Sequence, residues 1–192
     1  TWGVIAMTDT TTIVDFSLSR LPSGVLQGHV TDAATGEPVS ATVTVLDTPM
    51  ADVTSAYNFT LPVGTFVVRA RALGYQVVTA TAHIVTGQTT TVDLRLNSAP
   101  SILLIDSGAW YHRSRAGYFR QALDDLRYAY DERLIKHLPD DIPAASSLAS
   151  YDVVVWSAPE DAPGYIGAED TIVDYLSAGG RLLLSGQDVG LW

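Results

Sequence analysis

The sequence predicts two domains, an all-β Greek-key sandwich followed by an α/β doubly wound parallel sheet. Three observations carry this expectation. From residue 24 to residue 97, short runs of alternating apolar and polar residues are separated by Gly, Pro and Asp turns, about seven runs at intervals of roughly 8–12 residues, as in a sandwich whose sheets each have one wet face. From residue 101 onward, continuous apolar runs alternate with stretches of helical period, the pattern of strands buried on both faces by helices. Composition also shifts at Asn97-Ser98-Ala99-Pro100. Nineteen of the twenty Thr lie in residues 1–97, and acids outnumber bases seven to four before residue 98 and fourteen to seven after it.

The chain opens with Thr10-Thr11-Thr12-Ile13-Val14-Asp15-Phe16-Ser17-Leu18, which repeats Thr89-Thr90-Thr91-Val92-Asp93-Leu94-Arg95-Leu96 with one insertion. Residues 1–18 are therefore either the end of an upstream sandwich repeat or an extra β-hairpin on a single sandwich. In both cases the open strand edges call for a partner. Ser19 to Ser23 is a short linker. In residues 24–97, Gly24 to Thr31 and Val39 to Leu46 alternate as strands. Asp32, Thr35, Gly36, Glu37 and Pro38 supply turn chemistry between them, without need of a loop cation, so a β-hairpin or a close relative is expected. Tyr57-Asn58-Phe59-Thr60-Leu61 leads through Pro62-Val63-Gly64 into Phe66 to Ala72, a second expected hairpin with Tyr57, Phe59 and Leu61 on the inner face. Gln76 to Val85 and Thr89 to Leu96 complete the set.

In residues 101–192 the first strand is Ile102 to Ile105, ending in Asp106-Ser107-Gly108. Gly117 to Leu126 carries Phe119, Ala122, Leu123 and Leu126 at helical spacing, and Tyr128 to Leu134 is a weaker strand. Val153 to Trp156 is the third strand, Ala168 to Ser177 a helix stopped by Gly179-Gly180, and Leu182 to Ser185 the fourth strand.

The run Gly28-His29-Val30-Thr31-Asp32, with Thr35-Gly36-Glu37-Pro38 and then Tyr57 to Phe66 and Gly74-Tyr75, resembles the carboxypeptidase regulatory-like family of transthyretin-like sandwiches. That resemblance covers residues 24–97 and implies a module that is mostly noncatalytic. The apolar strand ending in Asp106, the helix with Tyr118-Phe119 and Ala122-Leu123, the run Tyr151 to Trp156, and Tyr175 to Asp188 resemble the glutamine-amidotransferase-like, flavodoxin-like modules. Such segments accompany regulatory-like sandwiches in large secreted bacterial peptidases, often of the subtilisin kind. The two resemblances together imply a noncatalytic accessory region of such a peptidase, extracellular or on the cell surface, with the parent's other domains, and protein or carbohydrate surfaces, as partners. True amidotransferases attack with Cys at a strand-to-helix elbow, and this chain has no Cys. Starting at Thr1 and stopping at Trp192, four strands into the second domain, it reads as a piece of a longer protein.

Charge and composition narrow the function classes. A net charge of −10 with Lys136 as the sole Lys opposes electrostatic binding to nucleic acid or anionic lipid. No apolar run reaches the length of a membrane span. The absence of Cys excludes disulfides and thiol catalysis. No nucleotide cradle, zinc motif or calcium loop is present, so no cofactor or metal is expected.

Open α/β sheets place ligands at the carboxyl ends of their strands. A crevice is therefore expected from Asp106, Trp110, His112, Arg113, Glu160, Ser185, Gln187 and Asp188. Ser185, His112 and Asp106 or Asp188 are the residue types of a hydrolytic triad. They lack the G-x-S-x-G elbow that exposes such a serine, and Gly186-Gln187-Asp188 also reads as a helix start with capping side chains. No catalytic residue is assigned. The rival reading is a small-molecule, carbohydrate or peptide site in that crevice.

Overall fold

The computed structural model describes residues 13, 19, 21–108, 113–159 and 166–186. The expected hairpin or upstream repeat in residues 1–18 lies outside the described residues. Among the described residues the chain is mostly β-sheet, with three sheets and a few helices.

The first two sheets share one core. Strand β1 (Ser23–Asp32) runs up the centre of the first sheet, antiparallel to β4 (Ala56–Pro62) from Ser23↔Pro62 to His29↔Ala56. On its other side it is parallel to β7 (Thr89–Thr91) and then to β8 (Leu94–Leu96). The second sheet is antiparallel, in the order β3 (Ala51–Thr54), β2 (Ala41–Val45), β5 (Gly64–Arg71), β6 (Val78–Ile84). Alternate side chains of both sheets meet between them: Leu26 and Val30, Val43 and Val45, Tyr57, Phe59 and Leu61, Val68, Ile84, Leu94 and Leu96 are all buried. Tyr57, Phe59 and Leu61 thus occupy the inner face, as their alternation predicts.

Neither expected hairpin forms as such. After the turn at Asp32, a single antiparallel bridge joins Thr31 to Pro38, and the chain then crosses to the second sheet as β2. Likewise β4 and β5 belong to opposite sheets, joined at the corner Pro62-Val63-Gly64. The reason is physical: both partners of each pair aim apolar side chains at the same core, and a crossover between facing sheets satisfies that alternation as well as a hairpin does. The expected strand from Gln76 begins only at Val78, because residues 75–77 pair elsewhere (below). The expected strand Thr89 to Leu96 divides at Val92-Asp93, where Asp93 Oδ1 accepts the His29 N–H at 2.9 Å and the Tyr57 hydroxyl donates to the Val92 carbonyl. The short edge strand β3 was not expected; its side chains are exposed or half-exposed, and the apolar Ala51 and Val53 stay outside the core.

The third sheet is parallel throughout, in the order β10 (Tyr130–Leu134), β9 (Ile102–Asp106), β11 (Val153–Ser157), β12 (Leu182–Ser185). The chain therefore adds β10 on one side of β9, and β11 and β12 on the other. Helix α1 (Ala116–Asp125) covers one face, where Leu123 and Phe119 pack on Ile102, Leu104 and Val155. Helices α2 (Ala145–Leu148) and α3 (Glu169–Ser177) cover the other, where Leu148, Ile172 and Tyr175 pack with Leu103, Ile105, Val154 and Trp156. The central strands β9 and β11 read as unbroken apolar runs because each is buried on both faces, whereas the outer strands β10 and β12 are half-buried or exposed.

Both long helices end in the same motif. In α3 the N–H of Gly179 reaches the Leu176 carbonyl and that of Gly180 the Tyr175 carbonyl, each at 3.0 Å, with Gly179 left-handed at φ 89°. In α1 the N–H of Arg127 reaches Asp124 and that of Tyr128 reaches Leu123, each at 2.9 Å, with Arg127 left-handed at φ 58°. Both are Schellman closures.

The turn after α1 also meets the segment before β6. Val77 N–H donates to the Arg127 carbonyl at 2.7 Å and Ala129 N–H to the Tyr75 carbonyl at 3.1 Å, around an antiparallel bridge between Gln76 and Tyr128. Arg71 on β5 donates to the Tyr130 carbonyl, and its guanidinium lies 5.8 Å from the centre of the Tyr130 ring.

Candidate functional site

The carboxyl ends of β9, β11 and β12 converge as the sequence predicts. Register places Asp106 beside Ser157 and Ser157 beside Ser185. Alternation along the strands turns all three toward the α1 face, since Leu104 and Val155 pack there and Ile105 and Trp156 pack on the opposite face.

Asp106 is 2% exposed and fully engaged. One carboxylate oxygen accepts the Gly108 N–H at 3.0 Å, and the other accepts the Ser114 hydroxyl at 2.6 Å and an Arg120 N–H at 3.0 Å. Ser114 in turn accepts the Ala116 N–H at 3.1 Å and so caps the start of α1. Arg120 reaches beyond Asp106 to Glu132 on β10, with N–O distances of 2.8 and 2.5 Å. The Glu132 hydrogen bond, then the charges of Glu132 and Asp106, hold the Arg120 pKa above its usual value against the opposing effect of burial. The group is a buried carboxylate tied to a helix by its counter-ion, with each oxygen hydrogen-bonded.

Beside it Ser107 donates to the Ser157 carbonyl at 3.2 Å and accepts the Trp156 indole N–H at 3.0 Å. Ser157 is 1% exposed, and its hydroxyl is the one buried side-chain polar atom without a hydrogen-bond partner among the described residues. Ser185 is exposed at the end of edge strand β12, and Arg113 is exposed ahead of α1. Trp110, His112, Glu160, Gln187 and Asp188 lie outside the described residues.

Of the expected crevice, the structure therefore joins Asp106 and Ser185 across Ser157. Beside Gly108 of the expected strand end, it gives Asp106 three neighbours that the sequence reading missed: Ser114, Arg120 and Glu132 acting through Arg120. A signal was present, since Arg120 is the one basic residue within α1 and follows Phe119, which packs on the sheet. Among the described residues no group of three His, Asp or Glu side chains is placed to hold a metal ion.

Elsewhere the turn residues act as turns. Asp32 Oδ1 accepts the N–H groups of Ala34 and Thr35 at 2.8 and 2.9 Å, and Ser98 donates to Oδ2 at 3.3 Å. The two backbone bonds hold its pKa below the usual carboxylate value. Asp141 does the same for the N–H groups of Lys136 and His137.

No family model and no curated protein matches the chain significantly. Among solved structures, a protein of unknown function from Bacteroides fragilis aligns at 27% identity over 40% of this chain and 28% of its own, with a TM-score of 0.35. The TIE protein of Bacillus anthracis aligns at 16% identity over 48% of this chain and 20% of its own, with a TM-score of 0.35. The matched parts span under a third of either protein's length. Neither alignment reaches the similarity at which a shared fold follows.

Proposed function

We propose that the chain is a noncatalytic accessory portion of a large secreted peptidase of the subtilisin kind, made of a regulatory-like sandwich and a degenerate amidotransferase-like α/β module, acting as a spacer or as a surface for substrates and partners. The observation that carries the noncatalytic part is the state of Asp106. Its two oxygens already accept from Gly108, Ser114 and Arg120, and the Arg120 guanidinium neutralises its charge, so the carboxylate is held as a structural ion pair with α1 rather than presented to an imidazole beside Ser185. The peptidase context rests on the two sequence resemblances.

Two measurements test the reading. The reading frame that encodes this chain is expected to encode Asp, His and Ser motifs of a subtilisin-like domain, and a frame without any catalytic domain overturns the peptidase context. A fluorophosphonate probe is expected to leave the chain unlabelled; labelling of Ser185 that heat abolishes overturns the noncatalytic part.

One observation favours a second reading, a small-molecule site at the carboxyl ends of β9 and β11. The unpartnered Ser157 hydroxyl stands where the strand order reverses, the place at which open parallel sheets admit ligands. A specific ligand there raises the melting temperature in proportion to its excess over Kd, and Ser157→Ala removes the effect.

A further inference from the structure

We propose that the groove between the outer face of β5–β6 and the turn that follows α1 is an oxyanion-binding site, in which Arg69 and Arg127 grip a sulfate, phosphate or carboxylate group. The inference does not depend on the peptidase reading.

The groove encloses about 440 Å³ and is lined by Arg69, Arg71, Val77, Thr79, Asp124, Arg127 and Tyr128. Three guanidiniums and one carboxylate line it, on a chain whose 21 acids outnumber its 11 bases. The local charge is thus opposite to that of the whole protein, which focuses an anion on this one concavity. Arg71 is already held by the Tyr130 carbonyl and ring and serves as a wall. The side chains of Arg69 and Arg127 have no ion pair or hydrogen bond among the described residues. Two planar guanidinium forks with donors to spare match the geometry of an oxyanion.

The walls are fixed by backbone. The bonds from Val77 N–H to the Arg127 carbonyl and from Ala129 N–H to the Tyr75 carbonyl set the two sides at hydrogen-bonding distance, so the ligand has the two arginine side chains to order but not the backbone that carries them.

A second observation is independent of the groove's charge. Arg127 occupies the left-handed position of the Schellman closure of α1, where α3 has Gly179. A side chain there is unfavourable relative to glycine. The backbone bond from Val77 would be made equally well by glycine, and among the described residues the Arg127 side chain bonds nothing that offsets its cost, which points to a role for that side chain outside the protein. The compensating contact proposed here is the anion.

The test uses the 192-residue chain with three probes at constant ionic strength: inorganic sulfate, inorganic phosphate and glucuronate. Melting temperature and the Nε–H resonances of arginine are followed. A saturable response of Arg69 and Arg127 to at least one probe is expected, and the tightest of the three tells whether the natural group is tetrahedral or a sugar carboxylate. Arg69→Gln and Arg127→Gly should each weaken binding about tenfold or more, the loss of a charge-assisted pair of bonds. Arg127→Gly also guards against misfolding, since the ligand-free variant should melt higher than the parent while losing the anion response. No saturable response to any probe, a response that chloride reproduces, or undiminished binding by both variants overturns the proposal.

Discussion

Arg120 on α1 bonds the buried Asp106 carboxylate at the end of β9 at 3.0 Å, and the two residues are unequally dependent on each other. Removing Arg120 leaves Asp106 buried with only Ser114 and Gly108 to solvate its charge, whereas removing the charge of Asp106 leaves Arg120 paired with Glu132 and more than a third exposed. Arg120→Ala is therefore expected to cost about 3 kcal/mol of unfolding free energy. Asp106→Asn, which keeps an acceptor for Gly108, should cost only about 1–2 kcal/mol. Urea unfolding of the two variants checks this; equal costs would mean that the pair is not held as described.

Tyr57 is expected to contribute to the alkaline limit of the sandwich core. Burial, and secondarily the charge of Asp93, pushes its pKa up from 10.0 to about 12. A raised acid pKa means that the folded state favours the neutral phenol. Its contribution is complete below pH 10, and is lost as pH rises from the unfolded value through the folded one. Tyr57→Phe should cost about 1 kcal/mol at neutral pH, through the missing bond to the Val92 carbonyl. The stability curves of parent and variant should then converge between about pH 10 and 12. Parallel curves across that window would assign the alkaline loss to other groups.

Asp32 acts at the acid limit with the opposite sign. Backbone N–H bonds from Thr35 and Ala34 lower its pKa from 3.8, so its contribution is present above 3.8 and is lost as pH falls through the lowered folded value. Asp32→Asn keeps an oxygen for both N–H groups but does not titrate. Its stability should sit below the parent's at neutral pH, with the gap closing as pH falls below about 4. Acid titration followed by circular dichroism decides it; a gap that persists at the lowest pH would place the effect in the turn geometry and not in the charge.

The fold was most legible where burial is least ambiguous. Ile102 to Ile105 and Val153 to Trp156 are continuous because helices cover both faces; Leu182 to Leu184 is equally continuous although Leu183 is exposed on the outer strand. Alternation in β1, β2, β4 and β5 told which side chains face inward but not which sheet each strand joins, because two sheets facing one core impose the same period. That ambiguity produced the two hairpins that the structure replaces with crossovers. Strand β3 was silent because Ala51 to Thr54 bury nothing. At the candidate site, strand ends announced Asp106 and Ser185, but Ser114 and Arg120 reach Asp106 from eight and fourteen residues away. Only the packing of α1 on the sheet brings them there. The left-handed conformation of Arg127 was equally hidden, since Arg carries none of the turn signal of Gly or Asn.

Gly28 marks where the chain is packed too closely for any side chain. It faces inward on β1 between Leu26 and Val30, and the strand junction at Val92 passes directly over it: a Cβ at Gly28 would lie 1.8 Å from the Val92 carbonyl oxygen and 2.9 Å from the Tyr57 hydroxyl. Those are the two atoms whose hydrogen bond secures the passage from β7 to β8, so neither can retreat without breaking the other's contact. Gly28→Ala is expected to cost at least about 3 kcal/mol, at the severe end of overpacking. Gly36 provides the contrast, because a Cβ there meets nothing within 4 Å and only its left-handed φ of 76° opposes a side chain. Gly36→Ala should therefore cost about 1–2 kcal/mol. If the two substitutions proved equally mild, β1 and the Val92 junction would have room to separate, and the close crossing that joins β7 to β8 would not be what holds the first sheet together.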